Sequence, residues 1–165
     1  MTLRSEIESI STEIRRICED LSPSVLQNVG LAAALEWALE ESVRHLPPER
    51  TCRTTFSCPA DLEERLPVTG SIGIQIYRMV QEALSNAARH AFATEVRLTV
   101  LAPADGTLEI TVADDGRGFD LNATVEGRGL ANLRSRASLI GAAVDWSARP
   151  GGGTVFRLRT TGPVR

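Results

Sequence analysis

Two pairs of alternating runs, each closed by a turn signal, restrict most strongly what this chain can become. In the first pair, Glu95-Val96-Arg97-Leu98-Thr99-Val100 and Thr107-Leu108-Glu109-Ile110-Thr111-Val112 repeat apolar residues with a period of two. That is the side-chain period of a strand with one buried face. The Asp105-Gly106 step between them is a hairpin signal. In the second pair, Ala142 to Ser147 and Thr154 to Arg159 alternate in the same way around a Pro150-Gly151-Gly152-Gly153 turn. Strands joined by hairpins are antiparallel, and such a sheet needs cover on one face only.

The remaining segments supply that cover. Leu31 to His45 is rich in helix formers, with Leu31, Ala34, Leu35, Ala38 and Leu39 on one face, and Pro47-Pro48 ends it. Thr51 to Ser57 is Thr-rich and reads as a strand, and Asp61 to Thr69 as loop. Ser71 to Ala91 reads as one long helix in which Ile72, Ile76, Met79, Val80, Ala83, Leu84 and Ala87 keep helical spacing. Gly116 to Gly127 reads as a flexible segment, and Leu130 to Ile140 as a helix ended by Gly141. The order helix, strand, helix, strand, strand, helix, strand, strand predicts an α+β fold. Its form is a two-layer α/β sandwich, with helices on one face of a mostly antiparallel sheet. It argues against a doubly wound parallel sheet.

One helix stands apart. Leu3, Ile7, Ile10, Ile14, Ile17 and Leu21 are spaced 4, 3, 4, 3, 4, a heptad seam flanked by Glu6, Glu8, Glu13, Arg15, Arg16 and Glu19. So narrow a stripe suits helix-on-helix packing in a dimer or bundle. An ordinary amphipathic helix folded back on its own domain is the other reading. Asp20-Leu21-Ser22-Pro23 breaks the pattern. The residue before a proline is pushed out of the helical region, and Ser22 can cap a new helix with Pro23 at its first position. The expected division is a bundle helix over residues 1–22 and a globular domain over residues 23–165.

Composition narrows the chemistry. The 165 residues carry a formal net charge of −3, so no broad basic surface for nucleic acid or anionic lipid is expected. All 18 of the Lys and Arg residues are arginine. Without lysine a P-loop of the usual kind is excluded, and any phosphate must be met by backbone N–H groups, arginine or a metal. Cys18, Cys52 and Cys58 suggest neither a disulfide framework nor a zinc site. Reduced thiols in a cytoplasmic protein are expected. No stretch approaches the roughly 18 apolar residues of a membrane helix, and no signal peptide is visible.

Several polar segments are not asked for by packing. Glu82, Asn86 and His90 lie at i, i+4 and i+8, with Arg89 beside them, on an otherwise largely apolar helix. Asn is a poor residue for a helix interior. Its side-chain oxygen suits Mg²⁺, and Arg89 suits a phosphate; a solvated helix face explains the same pattern. Asp114-Asp115-Gly116-Arg117-Gly118 follows a strand directly. Glycine lets backbone approach a ligand closely, and a strand-end carboxylate can accept a hydrogen bond from an adenine amino group. An Asp-Gly step after a strand is, however, most often a plain turn. Gly127-Arg128-Gly129 offers free N–H groups to phosphate, or is simply a helix start. Gly151 to Gly153 is most simply a flexible hairpin.

Taken together and in this order, these segments resemble the N, G1 and G2 boxes of the Bergerat-type ATP-binding fold of histidine kinases, type II topoisomerases, Hsp90 and MutL. The detailed match runs through Gln81-Glu82-Ala83-Leu84-x-Asn86-x-x-Arg89-His90-Ala91 and Asp115-Gly116-Arg117-Gly118-Phe119. It continues through Gly127-x-Gly129-Leu130-x-Asn132-Leu133-x-x-Arg136-Ala137 and Gly152-Gly153-Thr154. In this detail the chain resembles the nitrate-sensor and desaturase-sensor class of bacterial histidine kinases. Arg15 to Leu35 resembles that class's second bundle helix and its junction to the ATPase domain.

The resemblance implies a Mg-ATP-binding catalytic domain of a two-component sensor histidine kinase, donating the γ-phosphoryl to a histidine. It implies two catalytic residues: Asn86, holding Mg²⁺ against the triphosphate, and Glu82, orienting the metal's water shell. It implies Arg89 and His90 near the phosphates, Asp114 on the adenine amino group, Gly116 and Gly118 along the nucleotide, and Thr154 near the adenine end. Gly127, Gly129 and Leu130 would present backbone N–H groups to phosphate, and residues 120–126 would form a short lid. Phosphoryl transfer is mostly positioning and charge neutralisation, which such a set provides.

In that class a phosphoacceptor histidine lies on the first bundle helix, next to an acidic residue. This sequence has two histidines. His45 follows a helix and reads as a surface residue, and His90 belongs to the ATP box. The acceptor is therefore expected on a bundle helix missing from this chain, with a response regulator reached through the whole kinase. A homodimer through residues 3–21 is possible on the seam. No contact with nucleic acid or membrane is expected, nor autophosphorylation by this chain alone. Two rival functions stay open here: an anti-sigma-factor-type serine kinase on the same fold, and a non-catalytic nucleotide-gated dimerisation module.

Overall fold

The computed structural model describes residues 26, 28–68, 70–118 and 128–162. The heptad helix, the Ser22-Pro23 junction, Cys18, the expected lid and Gly127 lie outside the described residues. Helix α1 covers residues 28–44. It is followed by β1 (Arg53–Ser57), α2 (Leu62–Arg65), α3 (Gly70–Ser85) and a π-helical turn (Asn86–His90). Then come β2 (Glu95–Leu101), β3 (Glu109–Asp114), α4 (Arg128–Leu139), β4 (Ala142–Ala148) and β5 (Thr154–Thr160).

The described strands form one sheet in the order β1-β2-β3-β5-β4. Both expected hairpins are antiparallel pairs, Val96 facing Asp114 in one and Ala142 facing Thr160 in the other. They join through β3 and β5, also antiparallel. β1 pairs parallel to β2 at the edge. A parallel pair needs a long crossover, and α2 and α3 make it.

The period-two pattern sorts the faces. Val96, Leu98 and Val100 of β2, Ile110 and Val112 of β3, and Phe156 and Leu158 of β5 are buried. Ile76, Met79 and Leu84 of α3, Leu31 and Leu35 of α1, and Leu133 of α4 belong to the same core cluster. The opposite face is polar, with ion pairs from Arg159 to Glu109 (2.8 Å) and from Arg157 to Asp145 (3.4 Å) across neighbouring strands. Exposed pairs of this kind add little stability each, but they keep the uncovered face soluble. The register that buries Ile110 and Val112 also turns Asp114 inward, so a carboxylate ends up between the layers where β3 stops.

Two local departures from the sequence expectation matter. The stretch 61–69, expected as loop, contains the one-turn helix α2, with Leu62 and Leu66 buried. Its Glu63 carboxylate accepts a hydrogen bond from the Ala32 N–H at 2.8 Å. That caps the regular part of α1, because Gly30 interrupts the helical run at φ = +87°. Four residues are too few to show a helical period. Secondly, the helix expected unbroken to Ala91 widens at Asn86. The Ala91 N–H donates to the Asn86 carbonyl at 3.2 Å, the bond of a π turn. Groups outside the helix brace it: the Arg117 N–H donates to the Ala91 carbonyl (2.8 Å) and Arg50 Nη2 to the Ala88 carbonyl (2.9 Å).

Candidate functional site

Where β3 ends, a cavity of about 430 Å³ opens between the helices and the sheet, a size suited to a small-molecule ligand. The end of α3 and the π turn contribute Glu82, Asn86 and His90 to its lining. β3 and the loop after it contribute Asp114, Arg117 and Gly118; α4 contributes Leu130, β4 Trp146, and β5 Thr154 and Phe156. The structure thus brings together Glu82, Asn86, His90, Asp114, Gly118, Leu130 and Thr154 from four separate stretches of the sequence. Arg89 is exposed and does not line the cavity. Gly116 is buried behind the wall, and Gly129 sits in the first turn of α4.

The two adjacent aspartates face different surroundings. Asp114 is 4% exposed. Its Oδ1 accepts the Gly116 N–H at 2.8 Å and the Thr154 N–H at 3.3 Å. Burial raises its pKa above the usual carboxylate range, while those two N–H groups and Arg149 pull the other way. Asp115 is exposed and fastened elsewhere: its carboxylate accepts the Thr94 hydroxyl (2.6 Å) and the Thr94 and Glu95 N–H groups (both 2.8 Å). These hydrogen bonds, the Thr94 hydroxyl foremost, lower its pKa. Asp114 faces the cavity, and Asp115 ties the loop to the start of β2.

Gly116 and Gly153 are required by crowding. A Cβ on Gly116 would lie 2.3 Å from the Ala91 carbonyl oxygen. One on Gly153 would lie 2.0 Å from the Asp114 carbonyl oxygen. In the Gly151–Gly153 turn, which reads as a flexible hairpin in sequence, Gly153 is buried against the end of β3 at φ = +97°, while Gly151 and Gly152 stay exposed.

Three lining residues escape the sequence reading. Phe156 and Trp146 pack ring to ring at 5.3 Å and form an apolar wall. In sequence they pass for ordinary core positions. The available signal is alternation from Thr154, which puts Phe156 on the same face, and pairing then brings Trp146 opposite Phe156. The third is Arg117, hidden between two glycines of the loop. Cys52 and Cys58 are unpaired, and burial pushes the Cys58 thiol up to about 11 and raises that of Cys52. Both therefore stay protonated at neutral pH, unsuited to nucleophilic chemistry.

Among the described residues no three His, Cys, Asp or Glu side chains converge as a metal cage, and no helix is long and apolar enough to cross a membrane. Asn86 and Glu82 offer the cavity a sparse set of oxygen donors. Such a set suits a hard cation that keeps waters and ligand phosphates around it, as Mg²⁺ does.

Residues 72–162 match the family model described as histidine kinase-, DNA gyrase B- and HSP90-like ATPase. The sensor histidine kinase MctS of Rhizobium johnstonii is 32% identical over 143 residues, covering 82% of this chain and 29% of that protein. The nitrate/nitrite sensor protein NarQ of Escherichia coli is 29% identical over 130 residues, covering 76% of this chain and 22% of that protein. The solved ATP binding domain of PrrB from Mycobacterium tuberculosis has a TM-score of 0.59 at 26% identity, covering 78% of this chain and 91% of that one. The chain spans less than a third of the length of these sequence relatives.

Proposed function

The chain belongs to the histidine kinase-, DNA gyrase B- and HSP90-like ATPase family, in the form of a sensor histidine kinase ATP-binding domain, and from that membership we propose that its cavity holds Mg-ATP for transfer of the γ-phosphoryl to a histidine on a separate bundle helix. The observation that carries the reading is the convergence of Asp114 and Thr154 from the sheet with Glu82, Asn86 and His90 from one helix end on a single cavity.

Asp114 would recognise the adenine amino group. Its Oδ1 is held by two backbone N–H groups, so the carboxylate is oriented before ligand arrives, and about four lone-pair sites leave room for a further donor. Trp146 and Phe156 would exclude water from the base. Asn86 would ligate Mg²⁺, with Glu82 orienting its water shell; bound there, the ion supplies neutralisation of phosphate charge. His90 would face the phosphates, as would the first turn of α4 with Gly129 and Leu130, where N–H groups lack helical partners. In the same reading residues 1–22 are the second bundle helix, pairing in a homodimer through residues 3–21, and residues 23–165 the catalytic domain. A response regulator receives the phosphoryl group from the acceptor histidine, all in the cytoplasm where ATP is available.

Titration of the 165-residue chain with Mg-ATP in a calorimeter tests the binding step. One site per chain is expected; no heat from a folded sample would overturn it. Radiolabelled ATP then tests transfer. Acid-labile label is expected on an added bundle carrying a histidine and none on this chain; label on His45 or His90 would refute that assignment.

A further inference from the structure

Beside the cavity stands a side-chain stack to which the proposed function gives no role. Phe92 is the sole non-glycine residue at positive φ among those described, at +53°. A bulky side chain is strained there, and with 60% of the residue exposed, burial does not offset the strain. Two guanidinium groups instead lie over the ring, with the Arg50 carbon at 4.7 Å from its centroid and the Arg117 carbon at 5.1 Å. Both are within cation–π range. Arg50 is anchored on the Ala88 carbonyl of the π turn. Arg117 is anchored by its own N–H on the Ala91 carbonyl, and its residue lines the cavity.

Charge gives this stack a purpose. The described lining includes two carboxylates, Glu82 and Asp114, and one permanently charged cation, Arg117. The chain has no lysine to add. A nucleoside triphosphate brings several negative charges into this setting, and Arg89, the arginine expected near them beside His90, lies outside the cavity lining. We infer that Arg117 is a nucleotide-binding residue that meets the anionic polyphosphate, and that Phe92 and Arg50 are positioning residues that hold its guanidinium at the cavity wall. Fixing an arginine before ligand arrives reduces the ordering cost of binding. The inference rests on the proposed ATP binding and reassigns its phosphate-facing arginine.

The test is calorimetric affinity for Mg-ATP, Mg-ADP, AMP and adenosine, with a melting temperature for every variant. Arg117→Ala is expected to weaken Mg-ATP about tenfold or more, the loss shrinking with each phosphate removed and vanishing for adenosine. Phe92→Asn separates positioning from folding, because Asn accepts positive φ readily. Its melting temperature should hold or rise while Mg-ATP affinity falls several-fold, and Arg50→Gln should show the same ATP-selective loss. The double variant Arg117→Ala/Phe92→Asn should bind no worse than Arg117→Ala alone, since Phe92 acts through Arg117. Wild-type ATP affinity in Arg117→Ala, equal losses for adenosine and ATP, or additive losses in the double variant would each overturn the inference and leave ATP binding standing. A folded wild-type chain that binds none of the four ligands would overturn both.

Discussion

Two Asp-Gly steps bracket β3, and in sequence they look alike. Asp105-Gly106 is self-contained: Asp105 Oδ1 accepts the Thr107 N–H at 2.9 Å and its hydroxyl at 2.6 Å, and Gly106 supplies φ = +80°. Glycine is needed there for its conformational freedom. At Asp115-Gly116 the partners come from other elements. Asp115 is held by Thr94 and Glu95, and Gly116 is needed because the Ala91 carbonyl occupies the place of a side chain. The first step could form in an isolated hairpin. The second exists only with the end of the π turn beside it, and that dependence fastens the loop that follows Asp114 to the turn carrying Asn86.

Substitutions at and beside the two steps should differ in size of effect. Gly116→Ala should be the most damaging, costing roughly 3 kcal/mol or more in urea denaturation through overpacking against backbone; a cost no larger than that of Gly106→Ala would show that the two steps are equivalent. Asp114→Asn should weaken Mg-ATP about 100-fold, about 2.7 kcal/mol, with stability at neutral pH unchanged or raised. The sign follows from burial. The Asp114 pKa is raised in the folded state, so its charged form opposes folding at neutral pH, and that opposition fades as pH falls through the folded value. Asp115→Ala should cost about 1–2 kcal/mol, discounted for exposure. Because its pKa is lowered, the Asp115 contribution is present above the unfolded value and is lost as pH falls through the folded one. Urea midpoints across the carboxylate titration range should therefore shift oppositely for the two variants. Gly106→Ala should cost least, about 1 kcal/mol, from positive φ alone.

What could be read from sequence was what is local. The hairpins, the inward faces of β2 and β5 and the stop of α4 at Gly141 each depend on a few adjacent residues, and all appear where alternation and turn chemistry put them. The order of the boxes likewise gathers Glu82, Asn86, Asp114 and Thr154 on one cavity. What could not be read depends on distant partners. The π turn is braced by Arg117 and Arg50, so helical spacing alone extends an ordinary helix through it. Arg89 falls outside the cavity lining and Arg117 within it, because a loop after another strand supplies the wall. Trp146 joins that wall through pairing with β5, and α2 forms because Leu62 and Leu66 find the core.

The contact between Glu63 and Ala32 has a mechanical consequence. α2 is a strut: at one end Glu63 grips the start of α1, next to Gly30, and at the other Arg65 Nη2 donates to the carbonyl of Ala102, just past the end of β2. A pull on the chain ahead of Gly30 is thus resisted by a residue thirty-one positions further along, and the load passes through one helical turn into the sheet. The amide of Ala32 should then exchange with solvent only when the strut lets go, so its exchange rate measures the docking of α2 and not the fraying of α1.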